Sequence, residues 1–359
     1  MIIENGIKIQ NIYYMLAYAF SVLQNEGYEK LASEDFENTA DLLSAILAKG
    51  IAIQVKRGLG KEYIPITEPL STLRGKIDIS QSITGQTMLK KQLICSYDEF
   101  SVNTKLNRIL KTTVSILLRT KIKPQVKKDL KNLMMYFKDI DTLNPYTIDW
   151  NMRFNRNNQS YQMLISICYL VIKGLLQKDD KGDMKMQKFL DEQRMSRLYE
   201  KFILEYYKKY LPRDKYIVKS KEIEWNEDNN FFDFLPKMQS DIYIENKITG
   251  QILIIDAKFY TRNMATSQFG NKQTFHSNNL YQIFTYVKNK DRDNTGNVRG
   301  MLLYAKTDEE VTPNAEFMMG GNKIEVRSLD LGGEFDNIQH KLNNIFHREF
   351  TLCKNTIYL

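Results

Sequence analysis

The chain opens on a helical period. Ile12, Met15, Leu16, Ala19, Phe20 and Leu23 recur every three or four positions, which predicts a helix over residues 11–23. A second helix is expected from Phe36 to about Val55, closed by Arg57, Gly58 and Gly60. The period then drops to two. Residues 63–66 and 75–79 alternate like strands, and 92–100 is a third candidate. Asn103 is the expected cap of a helix running to about 121, with Leu106, Ile109, Leu110, Val114 and Leu117 facing a core. A helix over 125–137 follows. The stretch 139–160 holds Pro145 and many asparagines, so a domain boundary is expected at about 150.

Beyond it, residues 161–176 read as a buried helix and 177–182 as a solvated loop. Residues 194–210 are amphipathic, with Tyr199, Phe202, Ile203 and Tyr206 on one stripe. Strands fit 216–223, 241–245, 251–259 and 299–306, and a helix fits 278–288. Helix, strands, helix, strand is a mixed α/β order. The expectation is an α+β domain over 1–150 followed by an α/β domain over 151–359.

Two of those strands carry charges where an apolar run should continue. Ile252–Ile255 is apolar and then gives way to Asp256-Ala257-Lys258. Strand side chains alternate faces, so Asp256 and Lys258 share a face, roughly 7 Å apart. Asn246-Lys247-Ile248-Thr249-Gly250 is turn chemistry, so 241–245 and 251–259 should pair as a hairpin and bring Asp241 near Asp256. Two carboxylates and an ammonium on one surface suit a hard divalent cation and an activated water. Either motif alone is more simply a strand-edge charge; the apolar strand that ends in both favours a site. Glu200 and Glu205 lie on the preceding helix, on opposite sides of its apolar stripe, so only one can easily reach such a site. Gln282 and Tyr286 stand one turn apart on the later helix.

Composition narrows the setting. The 359 residues carry a formal net charge of +8, which permits an anionic partner such as nucleic acid without requiring one. The three cysteines, Cys95, Cys168 and Cys353, form neither a disulfide framework nor a zinc spacing, which fits a reducing cytoplasm. Three histidines cannot build a His-rich metal centre. No apolar run is long enough to span a bilayer, so no membrane role is expected. Arg57-Gly58-Leu59-Gly60-Lys61 lacks phosphate-loop spacing, so any nucleotide motor must come from another chain.

A helix acid, Asp241 and Asp256-Ala257-Lys258 resemble the PD-(D/E)XK nuclease superfamily, with Ser240 where proline is common and variation is tolerated. Gln282 and Tyr286 resemble the Gln-x-x-x-Tyr motif of its RecB-like members. The resemblance tightens over further blocks: residues 11–19, 73–78, 98–103 with 107–109, 256–260 and 275–282 are similar, in order, to the McrC family. That resemblance implies a restriction-endonuclease-like C-terminal domain. It implies Mg²⁺, or Mn²⁺ in its place, held by Asp241, Asp256 and the Ala257 carbonyl. Lys258 would act on the water or the phosphate, Glu200 or Glu205 would assist, and Gln282 would stand close by. It also implies that residues 1–150 dock on a McrB-type AAA+ GTPase ring and stimulate it. The complex would cut methylated double-stranded DNA only when assembled, a pair of McrC subunits being one arrangement it allows. Two rival readings remain: a regulatory subunit with a vestigial site, and a basic nucleic-acid-binding protein without catalysis.

Overall fold

The computed structural model describes residues 3–4, 6–20, 23, 28, 31, 34, 36–155, 158–175, 192–226, 234–260, 263–266, 273–306 and 312–350. The expected loop at 177–182 and Cys353 lie outside these residues. In chain order, β1 (Ile3–Glu4), β2 (Ile7–Lys8) and α1 (Ile9–Ala19) lead to α2 (Thr39–Arg57). Then come β3 (Glu62–Leu70), β4 (Lys76–Asp78), α3 (Ile79–Thr84), β5 (Leu93–Ser101), α4 (Lys105–Leu117), α5 (Pro124–Leu133) and α6 (Gln159–Leu175). The rest comprises α7 (Glu192–Tyr210), β6 (Tyr216–Ile223), β7 (Met238–Asn246), β8 (Ile252–Lys258), β9 (Ala265–Thr266) and β10 (Gln273–Thr274). It closes with α8 (Ser277–Lys290), β11 (Val298–Ala305), β12 (Ala315–Met319), β13 (Asn322–Leu329) and α9 (Phe335–Phe350).

The chain divides into two compact units, 1–42 with 190–359, and 43–189. The boundary expected at about 150 therefore falls inside the second unit, for a physical reason. Asn107 on α4 is buried and donates to the carbonyls of Gly60 and Val102, both at 2.8 Å. The Tyr161 hydroxyl on α6 donates to Asn107 Oδ1 and accepts from the Gly60 N–H, again at 2.8 Å each. The Asn-rich stretch 139–160 is thus a loop within a unit, because α6 returns to pack on α4.

In this unit β3, β5 and β4 form a small antiparallel sheet, in that order. Gly75 has φ +67, and a Cβ there would lie 2.3 Å from the Ser96 carbonyl oxygen, so only glycine fits. Beside it the Arg74 guanidinium lies 4.0 Å from the centre of the Tyr97 ring. Asp78 caps α3 by accepting from the Gln81 N–H at 2.9 Å. The cap of α4 is Thr104, whose hydroxyl accepts from the Asn107 N–H at 3.2 Å. The expected cap, Asn103, instead exchanges hydrogen bonds with Asp141.

The other unit holds a six-stranded mixed sheet in the order β12-β13-β11-β8-β7-β6. β8, β11 and β13 run parallel, while β7 is antiparallel to both β8 and β6. The core under α8 gathers Tyr243, Ile252, Ile254, Leu302, Tyr304, Ile324 and Val326, one face of the central strands. Tyr199, Phe202, Ile203 and Tyr206 of α7 are all buried, as their stripe predicts; each such burial stabilises by about 1.5–3 kcal/mol. α7 packs on β6, β7 and β8, and its Tyr206 and Tyr207 hydroxyls bond to main-chain carbonyls of α9. α1 also packs on α7, with Tyr18 and Tyr210 hydroxyls 2.8 Å apart. Tyr13 is buried and Tyr14 stacks on Phe335, so this helix contributes to its own unit's core. Asn11 donates to the carbonyls of Leu331 and Gly333, which is why the first 42 residues join the C-terminal unit.

Candidate active site

The β7–β8 hairpin forms as its turn chemistry predicts, with Ile242 opposite Ile255 and Glu245 opposite Ile252. The Asp241 carboxylate accepts from the Ala257 N–H at 2.9 Å, so it sits beside the end of β8. Lys258 Nζ stands 2.8 Å from Asp256 Oδ2 and donates to Gln282 Oε1 at 3.1 Å. Gln282 in turn donates to the Tyr286 hydroxyl at 2.9 Å, and that hydroxyl donates to the Gln239 carbonyl at 3.2 Å. Asp241, Asp256, Lys258 and Gln282 therefore converge. Tyr286, which sequence reasoning paired only with Gln282, ties α8 back to the residue two before Asp241.

The two helix acids separate. Glu200 accepts from the Ser196 hydroxyl at 2.9 Å, and its charge is felt by both Asp241 and Asp256. Glu205 pairs with Lys208 at 2.8 Å, a half-exposed helix pair. His276 precedes α8 and lies with its ring 5.2 Å from that of Tyr260.

Electrostatics define what this cluster lacks. Burial, then the neighbouring Asp256, then Glu200 push Asp241 up to about 8. Burial likewise raises Asp256, against the pull of Lys258. Burial alone would lower the Lys258 ammonium, but Asp256 and then Asp241 hold it above its ordinary range. One ammonium does not neutralise the buried Asp256, the half-buried Asp241 and a nearby glutamate. Asp256 Oδ2 is buried and receives no aligned hydrogen bond. These residues fit a divalent cation: they offer hard oxygen donors and more negative charge than Lys258 offsets. The expected third ligand is the Ala257 carbonyl; the contact seen at Ala257 is that of its N–H. Among the described residues no group of three His, Cys, Asp or Glu side chains stands ready for a metal. No described helix is long and apolar enough to cross a membrane.

Comparisons with known proteins place the chain in a family. The family described as McrBC 5-methylcytosine restriction system component matches residues 4–305. The chain belongs to that family. The McrBC relatives include the type IV methyl-directed restriction enzyme EcoKMcrBC of Escherichia coli (strain K12). It is 29% identical over 347 residues, which cover 95% of this chain and 97% of that protein. A chain of the half-complex from a tetradecameric assembly of Thermococcus gammatolerans McrB AAA+ hexamers with bound McrC aligns with a TM-score of 0.47. The identity is 19%, over 93% of this chain and 78% of that one. A chain of the T. gammatolerans McrBC complex aligns with a TM-score of 0.39 and 21% identity, over 57% and 59% of the two chains.

Proposed function

We propose that this McrBC-family chain is the DNA-cutting subunit of a methylcytosine-dependent restriction complex, with a PD-(D/E)XK-type site. The observation that carries the reading is the convergence of Asp241, Asp256 and Lys258, with Gln282 bonded to the lysine. Asp241 and Asp256, with the Ala257 carbonyl, would hold Mg²⁺ or Mn²⁺. Bound there, the ion supplies Lewis acidity toward the scissile phosphate and a water of lowered pKa. Lys258 keeps its proton, held by Asp256, and so presents a positive charge to the phosphate or orients the attacking water. Gln282 fixes the ammonium's direction, and Glu200 adds negative charge on the cation's side. Glu205 takes no part in this reading, since Lys208 occupies it.

The unit over 43–189 is the proposed docking surface for a McrB-type AAA+ GTPase, in place of the broader 1–150. α3 exposes Ile79 and Ile83, and the segments flanking β4 and α3 expose Leu73, Met88 and Leu89, apolar side chains suited to a protein partner. Cutting both strands of a duplex calls for two such sites, hence a pair of these subunits in the working complex. The test is a cleavage assay on methylated and unmethylated plasmid, with and without the GTPase, in GTP and in ATP. Mg²⁺-dependent cutting by the Asp256→Ala variant would refute the assignment.

A second reading, a subunit that only activates its GTPase, draws on one observation: among the described residues, no three His, Cys, Asp or Glu side chains gather closely enough to hold a metal. Calorimetric titration with Mn²⁺ separates the two, because a vestigial site takes up no metal.

A further inference from the structure

The strand that carries Asp241 is irregular at that residue. On β7, Lys219 pairs with Tyr243 and Lys221 with Ser240, so Asp241 and Ile242 together oppose the single residue Ser220 of β6. That is a β-bulge, an extra residue that turns the side chains after it. Its effect on the core is visible. Met238 and Tyr243 both enter the cluster beneath α8 although they are five residues apart. On a regular strand an odd spacing would send them to opposite faces.

Two serine hydroxyls fasten the bulge. Ser240 is fully buried; its hydroxyl accepts from the Lys221 N–H at 3.2 Å and donates to the Lys221 carbonyl at 2.9 Å. From the other strand, Ser220 donates to the Ser240 carbonyl at 2.7 Å and accepts from Gln239 Nε2 at the same distance. Gln239 offers its own carbonyl to Tyr286, the residue that holds Gln282 and, through it, Lys258. A closed ring of contacts results: Asp241, Ala257, Lys258, Gln282, Tyr286, Gln239 and back along β7. Ser240 sits between Gln239 and Asp241, where β7 closes that ring.

We infer that Ser240 is a positioning residue of the proposed cleavage site. Its hydroxyl pins the bulge and thereby sets where the Asp241 carboxylate stands against Ala257 and Asp256. The position is therefore not the tolerant one its residue type suggests: proline would supply neither hydroxyl bond. The inference rests on the cleavage reading, and its test is chosen to separate the two.

Ser240→Ala, Ser240→Thr and Ser220→Ala are made in the full chain and titrated with Mn²⁺, with exchange of the Ala257 amide followed in metal-free protein. S240A is expected to weaken Mn²⁺ binding about tenfold, to speed Ala257 exchange, and to move Tm by no more than a few degrees. S240T, which keeps the hydroxyl, restores affinity to near the wild-type value. S220A acts from the exposed side of the bulge, keeps the core intact and gives the same direction with a smaller change. Wild-type affinity and wild-type Ala257 exchange in folded S240A overturn this inference alone; should S240A not fold, the same result in S220A does so. A wild-type chain that takes up no Mn²⁺ overturns the cleavage reading, and this inference with it.

Discussion

The sheet unit contains two buried pairs of acids, and they behave in opposite ways. Asp241 and Asp256 share one ammonium, and burial pushes both up; Asp256 raises Asp241 further, while Asp256 is raised against the pull of Lys258. Glu325 and Glu349, on β13 and α9, lie among four cations. Lys323 sits 2.5 Å from Glu325, and Arg327 sits 2.8 Å from it; Arg348 contacts it too. Arg299 is 3.2 Å from Glu349. Burial would raise Glu325 as well, but hydrogen bonds with Glu349, Lys323 and Arg327 hold it down at about 2. Glu349, by burial and by Glu325 beside it, is raised. The lesson is that buried carboxylates alone do not mark a cation site. The second pair is already neutralised by side chains, and only the first has charge left for an ion.

The largest expected effects break that contrast outright. Asp256→Ala lowers Mg²⁺-dependent plasmid cleavage by about 10³-fold or more, with GTPase stimulation unchanged, while Glu325→Gln cuts at the wild-type rate. Glu325→Ala leaves Arg327, Lys323 and Arg348 without their acid. It should cost about 3 kcal/mol, and calorimetry should read a Tm drop of about 6–12 °C. Asp256→Ala shows no such fall.

Metal sharpens the same comparison. At pH 8, Mg²⁺ at ten times its Kd stabilises the wild type by about 1.4 kcal/mol. Asp241→Asn loses that gain and Glu325→Gln keeps it. In metal-free protein Asp241 and Glu325, one acid from each pair, also answer pH with opposite sign. Asp241 is raised, so its contribution is full below the ordinary carboxyl range, about pH 4. It is lost as pH climbs through about 8. Glu325 is lowered, so its contribution is full above that range and is lost as pH falls toward about 2. Between pH 6 and 9 the wild-type Tm should therefore decline and that of Asp241→Asn should stay flatter, the variant being a few degrees higher at pH 9. An equal slope would break the contrast. The smallest effect concerns the helix acids: Glu205→Ala should cut within about twofold of the wild type. Glu200→Ala should lose several-fold more, as removing one nearby charge does.

Much of this site is legible in the residues themselves. An apolar strand ending in Asp256 and Lys258, with an Asn-to-Gly turn before it, leaves few arrangements other than the hairpin observed. The choice between Glu200 and Glu205 was not legible, because it depends on a pairing with Lys208 and on where β7 lies. The bulge was hidden for a different reason: a register shift arises between two strands and leaves no trace in either one. Residues 315–350 carry legible signal as well. Gly320 and Gly321, with φ +55 and +86, form the tight turn joining β12 to β13. Ile338, Leu342 and Ile345 give α9 a helical stripe. The division into units was out of reach, since Asn11 finds its acceptors more than 300 residues away.

That long reach bears on how the protein is made. A ribosome delivers Asn11 early and the carbonyls of Leu331 and Gly333 only near the finish. Meanwhile the compact unit 43–189 has emerged whole. The nascent polypeptide therefore holds all of 43–189 while the six-stranded sheet still waits for β11 and β13.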